Sequence, residues 1–328
     1  MIYPLLFRSD TKHLIWGTEE WTVSAVEGSE SIIANGPYAD KTITEYIQQE
    51  PESILGTAVV EKYGDKLPLL VKLIDAKQDL SIQVHPNDEM AMRLHGKMGK
   101  SEMWYVIDAD PGAFLYAGFK KQITPEEYRQ RVKDGTIVEV LARHTVQKGH
   151  VFYLPAGRVH AICGGIRLAE VQQSSDVTYR IFDYNRPGLD GKPRQLHTDL
   201  AAEAIDYEVV SEYRTLYADT GNRANIVVNS PYFTTRVIDT NEVFHRNLMK
   251  YDSFVITTCL EGECCLRTRK KQHEVRLTAG ASCLIPAIEA DYDVIPVGRG
   301  VKLLDSFIDN MDRSVSGKVT RFLHLTKK

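Results

Sequence analysis

Apolar and polar positions in this chain alternate over short runs, and turn residues break the runs at close intervals. Leu69 to Ile74, Leu80 to His85, Met103 to Ile107, Val151 to Leu154, Ile166 to Gln172, Phe254 to Leu260 and Ala281 to Ile285 are rich in aliphatic, β-branched and aromatic residues. Each fits a strand. Helical patterns are fewer: Thr42 to Gln49, Asp88 to Leu94 behind an Asn-Asp cap signal, Thr124 to Lys133 and Thr198 to Ile205. The strands do not alternate with helices as βαβ units would, so a mainly β sandwich or barrel with helical decorations is predicted.

A weak internal repeat supports two β units. Gly149-x5-Pro155-x-Gly157-x2-His160 returns 131 residues later as Gly280-x5-Pro286-x-Ile288-x2-Asp291. Loop-forming residues cluster between Thr220 and Ser230 and place a boundary there. The expected division is 1–225 and 226–328, the second unit having lost the histidine of its motif.

The segment Ser81 to Asp88 contains the most informative pattern. In a strand, Gln83 and His85 share one face while Ile82 and Val84 take the other. If the polar face points into a barrel, an imidazole and an amide there need partners, and a cation would satisfy both; an edge strand with a solvated face is the alternative. Glu102 stands at the entrance to the next strand, and His160 lies just past a Pro-x-Gly turn. Two histidines and a glutamate, with Gln83 as a fourth ligand, suit a divalent transition metal.

Composition narrows the classes further. The 328 residues are 43% hydrophobic and 26% charged, which fits a folded globular protein and not a disordered one. A net charge of −4 without a long basic run gives no indication of nucleic acid or an anionic membrane as partner. No apolar run approaches the roughly 18 residues of a membrane span, and the start of the chain lacks a signal-peptide pattern. A soluble, cytoplasmic protein is expected. Five cysteines without recurrent spacing fit a reducing compartment and small core positions.

These motifs resemble a known family. Gly149-x5-Pro155-x-Gly157-x2-His160 is similar to a cupin signature. Gln83-Val84-His85-Pro86-Asn87-Asp88, followed by Gly99 to Tyr105, resembles type I mannose-6-phosphate isomerases. Glu170 to Tyr184, Trp16-Gly17, and Asn35-Gly36-Pro37 with Lys41-Thr42 are similar to their compact bacterial branch. The resemblance implies two cupin-type jelly-roll β-barrels, one zinc ion per chain, and reversible conversion of mannose 6-phosphate to fructose 6-phosphate through an enediolate.

It also implies metal ligands at Gln83, His85, Glu102 and His160, and a catalytic arginine at Arg180. Asp176, four residues earlier, is expected to orient Arg180 or to take part in proton transfer. Lys100 is a candidate for proton exchange or for holding the phosphate, and Trp16 for lining the substrate pocket. Gly99 stands where longer relatives carry a histidine, which argues against a base at that position. A sugar phosphate is the expected partner, bound by a monomer or homodimer. Two rival functions are a non-haem iron oxygenase using His85, Glu102 and His160, and a sugar-phosphate-binding cupin without turnover.

Overall fold

The computed structural model describes residues 2–311. It is mainly β, with cupin-type jelly-roll sheets and short helices around them. The first unit has a seven-stranded sheet, with strands Glu102–Ala109 and Ile166–Gln173 at its centre, and a five-stranded sheet that includes Ile82–Val84, His160–Ile162 and Tyr179–Phe182. The two face each other without closing into a continuous barrel. Trp104, Val106 and Leu168 from the seven-stranded sheet share a core with Leu115, Ala117 and Ile162 from the other.

Period-2 patterning decides which residues face that core. Ile82 and Val84 point away from it, into a cluster with Met90, Tyr128 and Ala201 on the surrounding helices. Gln83 and His85 are thereby turned inward. The helix Asp88–His95 starts where predicted: the Asn87 side chain accepts from the Met90 amide at 2.9 Å, and Gly96 ends the helix in the left-handed conformation. Such a cap contributes about 1 kcal/mol.

A nine-stranded sheet forms most of the second unit. Its long strands Val255–Thr268 and Asp291–Phe307 bend at irregularities around Cys259 to Cys264 and wrap around their own core. The sheet also takes in Leu5–Arg8 and Ile32–Ile33, with Leu5 paired to Leu284 and Leu6 to Cys283. The division expected at residue 225 falls just inside the strand Ala224–Asn229, but sheet pairing crosses it. The largest apolar cluster joins the units, uniting Val71, Met103 and Val171 with Phe254, Ile256 and Leu304.

The sequence repeat has matching local structure. Gly149 and Gly280 both have positive φ, each precedes a short strand (Val151–Leu154 and Ser282–Ile285), and His160 and Asp291 each open the strand beyond. All five cysteines are free; four are buried, whereas Cys265 is half-buried because it faces away from the core that holds Cys264. Two further helices, Pro51–Leu55 and Thr57–Tyr63, follow the predicted one at Ile43–Ile47. No helix among the described residues is long and apolar enough to cross a membrane.

Candidate metal centre

Strand register aligns several polar residues. His160 is the cross-strand partner of Gln83, and Gln83 is in turn the partner of Arg180. Directly paired residues share a sheet face, so Arg180, Gln83 and His160 form one inward row, with His85 two positions along from Gln83. The opposite sheet contributes Glu102. Gly157, at φ +90 in the Pro-x-Gly turn, donates its amide to the His85 carbonyl at 2.9 Å and fixes the turn against the Gln83–His85 strand. A Cβ at Gly157 would lie 3.0 Å from the Ala204 carbonyl oxygen.

The ligand atoms converge from both sheets. His85 Nε2 lies 3.3 Å from Glu102 Oε2, and His160 Nε2 lies 3.3 Å from Glu102 Oε1, with all three residues buried. Among the described residues this is the only group of three or more His, Cys, Asp or Glu that could hold a metal. His85 Nδ1 is 3.0 Å from the Val177 carbonyl and His160 Nδ1 2.8 Å from the Arg158 carbonyl. A carbonyl only accepts, so both Nδ1 atoms carry the proton and both Nε2 lone pairs point at the site.

Electrostatics favours the ligating states. Burial pushes the His85 pKa down to about 3, and Lys100 adds to the effect. Burial also lowers His160. For Glu102, burial disfavours the charge, but Lys100, His160 and His85 outweigh it and hold the carboxyl well below its ordinary value. The site therefore presents two neutral imidazoles and a carboxylate, the forms that bind metal. Glu102 Oε1 and His160 Nε2 are buried with no hydrogen-bond partner, which a cation at this point would satisfy.

Lys100 is buried beside the ligands, with Nζ 2.7 Å from Glu102 Oε2 and 2.8 Å from His85 Nε2. Gly99 has its Cα against the start of the neighbouring helix: a Cβ there would lie 2.5 Å from the Asp88 amide nitrogen. Arg180 Nη1 donates to the Gln195 carbonyl at 2.9 Å. The expected partnership of Arg180 with Asp176 does not form. The Asp176 carboxylate is bound by Lys97 at 2.6 Å in an exposed position, because the chain bends between the strands ending at Gln173 and starting at Tyr179. Trp16 packs at the edge of the core between the sheets, and its indole N–H is buried without an acceptor.

A buried polar relay escaped the sequence analysis. Lys72 pairs with Glu170 at 3.0 Å, Glu170 accepts from the Trp104 indole at 2.9 Å, and Trp104 meets the His160 ring edge-on with 5.3 Å between centroids. Burial opposes the charge on Lys72, but Glu170 and Glu19 raise its pKa above the ordinary lysine value. Glu170 shares a sheet face with Gln172 in a strand whose centre, Leu168 to Val171, is otherwise apolar, and that was the available signal.

Fold and site together define a cupin with a buried two-histidine, one-glutamate candidate metal site. The family model for the catalytic domain of type I phosphomannose isomerase matches residues 16–110, and that for the mannose-6-phosphate isomerase cupin domain matches residues 223–301. Mannose-6-phosphate isomerase ManA of Bacillus subtilis is 32% identical over 325 residues, covering 93% of this chain and 97% of the relative. The chain belongs to the type I mannose-6-phosphate isomerase family. A crystal structure of the mannose 6-phosphate isomerase from Bacillus subtilis superposes with a TM-score of 0.82 at 30% identity, covering 92% of this chain and 99% of the other. A zinc-bound mannose 6-phosphate isomerase structure shares the fold with a TM-score of 0.73 at 18% identity, covering 93% and 99%.

Proposed function

We propose that this protein interconverts mannose 6-phosphate and fructose 6-phosphate in a zinc-dependent reaction that passes a proton between C2 and C1 through an enediolate. The observation that carries this reading is the convergence of two imidazole Nε2 atoms and the Glu102 carboxylate in a buried site, in a chain of this family. Its relatives are named for that isomerisation. His85, Glu102, His160 and the adjacent Gln83 would hold one zinc ion per chain. When bound, zinc supplies Lewis-acid polarisation of the sugar carbonyl without redox chemistry.

The protein's own groups would do the rest. The Val177 and Arg158 carbonyls hold the two imidazoles in their ligating tautomer and orientation. Lys100 is the titratable group nearest the ligands and would hold or move the proton at its Nζ. Arg180, in the same row as Gln83 and His160, would stabilise negative charge on the substrate through its planar fork. Trp16 would close one side of the substrate site. The division 1–225 and 226–328 would separate the catalytic unit from one without metal ligands, and the five free thiols favour a cytoplasmic setting.

The test is formation of fructose 6-phosphate from mannose 6-phosphate by protein as purified, after chelation, and after zinc is restored. Activity should disappear with the metal and return with zinc. Folded, zinc-loaded protein that fails to turn over would overturn the proposal.

A further inference from the structure

Among the described residues the strand Tyr179–Phe182 pairs on one side only, with Ile82–Val84, and forms an edge of the five-stranded sheet. The N–H and C=O of Arg180 both point to the open side, where an edge strand has no ladder to meet them. A single residue meets both. The His197 amide donates to the Arg180 carbonyl at 2.8 Å, and the Arg180 amide donates to His197 Nδ1 at 3.1 Å. Two residues before His197, the Gln195 carbonyl accepts from Arg180 Nη1 at 2.9 Å. Segment 195–197 therefore fixes the backbone of Arg180 and one arm of its guanidinium at once.

His197 does this from the start of a helix. Its carbonyl accepts from the Ala201 amide at 2.8 Å, the first bond of the helix Thr198–Ala204. Serine, threonine, asparagine and aspartate are favoured at that position because their side chains cap the helix. The His197 side chain makes no such bond; its ring is turned to the strand, beside Tyr179 with 6.1 Å between centroids. The bond to Arg180 requires a lone pair on Nδ1, so the ring is neutral with its proton on Nε2. A protonated ring would carry N–H at both nitrogens and set a donor against the Arg180 amide. The titratable groups facing the ring are Arg180 and Tyr179 on the strand and His95 on the helix Asp88–His95, whose Nε2 lies 2.8 Å from the Tyr179 hydroxyl. None of these is negative at neutral pH. Burial, Arg180 and His95 all lower the His197 pKa from its ordinary 6.5.

We propose that His197 is a positioning residue for Arg180: in its neutral form it holds the arginine's backbone and, through the segment it anchors, the guanidinium in the row with Gln83 and His160. This rests on the isomerase reading above, in which Arg180 stabilises charge on the substrate. Protonation of His197 releases the Arg180 amide and adds a cation beside the arginine. The hold is complete above the His197 pKa and is lost as the pH falls through it.

Steady-state kinetics of the zinc-loaded full chain tests this. His197→Ala should lower kcat/KM for mannose 6-phosphate by about 10- to 100-fold, the cost of displacing a catalytic group by about an ångström. His197→Asn, whose Oδ1 accepts in place of Nδ1, should recover most of the loss. In an Arg180→Lys background His197→Ala should cost no more than about twofold, since its effect runs through the arginine. As the pH falls below 6.5, kcat/KM of the original protein should decline more steeply than that of His197→Asn, which has the same metal ligands and no titrating ring. An equal cost of His197→Ala in both backgrounds, or superimposable pH profiles for the original protein and His197→Asn, would overturn the proposal. Amide hydrogen exchange at Arg180, measured as protection relative to the free-peptide rate, separates the two readings. Protection that is lost in His197→Ala, with no isomerisation by the original protein, would retain the hold on Arg180 and reject the isomerase; isomerisation with Arg180 protection unchanged in His197→Ala would do the reverse.

Discussion

Lys100 and Glu102 form a contact of 2.7 Å at the centre of the site, and both are buried. The Lys100 ammonium is thus the nearest fixed cation to the carboxylate that would bind zinc. If it moves the proton, Lys100→Met should lower kcat by about 100-fold or more while zinc still binds at one ion per chain. Metal analysis beside the kinetics checks both halves; kcat within several-fold of the original would remove Lys100 from the mechanism.

Zinc should also stabilise the fold, because the assembled ligand set exists only in the folded chain. At a free zinc concentration 100 times Kd the gain is about 2.7 kcal/mol. Thermal unfolding with and without zinc should show a raised midpoint, and His160→Ala should abolish most of the difference.

Metal-free protein should lose stability in acid beginning near neutrality. His85 titrates at an ordinary value of 6.5 when unfolded and about 3 when folded. Between those values the unfolded chain binds the extra proton, so stability is full above pH 6.5 and falls as the pH drops toward 3. His160 acts in the same direction. Urea midpoints at pH 7, 6 and 5 should decline for the original protein and less steeply for His85→Gln.

Gly99→Ala should destabilise the protein by about 1–3 kcal/mol, the usual cost of overpacking, because the new methyl group would meet the backbone of Asn87 and Asp88. Asp176→Asn provides the contrast. Its exposed pair with Lys97 contributes at most about 1 kcal/mol, and kcat should stay within threefold. Chemical denaturation and the isomerase assay measure both.

In the second unit, Asp305 accepts from Arg246 at 2.8 Å, Thr257 at 2.8 Å and Tyr292 at 3.0 Å, all buried. Asp305→Asn should cost about 3–5 kcal/mol because it leaves the arginine unpaired, and Arg246→Met combined with Asp305→Leu should recover much of that. Denaturation of the single and double variants decides whether this pair is a structural element of the core.

The inward face of Gln83 and His85 was legible because strand alternation is local, and Ile82 and Val84 marked the opposite face. Glu102 and His160 were legible from motif spacing. The pairing of Asp183 with Arg186 and Arg194 was not, since the three come together only through a turn with two left-handed residues, Tyr184 and Asn185. Asp176 shows the converse: proximity to Arg180 in sequence suggested a partnership that the intervening bend prevents. The repeat indicated a second β unit, but gave no sign that Leu5–Arg8 would pair within it, because register between distant strands leaves no local pattern.

That pairing imposes an order on folding. Leu5–Arg8 leaves the ribosome early, yet its partner Ser282–Ile285 is made after all the metal-site motifs. Until then, Leu5 and Leu6 expose apolar side chains and unpaired backbone, a combination that invites association with other strands. A chain released before residue 282 would carry His85, Glu102 and His160 while still presenting that open edge. The edge at Leu5 and Leu6 therefore closes only once the chain has been made past residue 284.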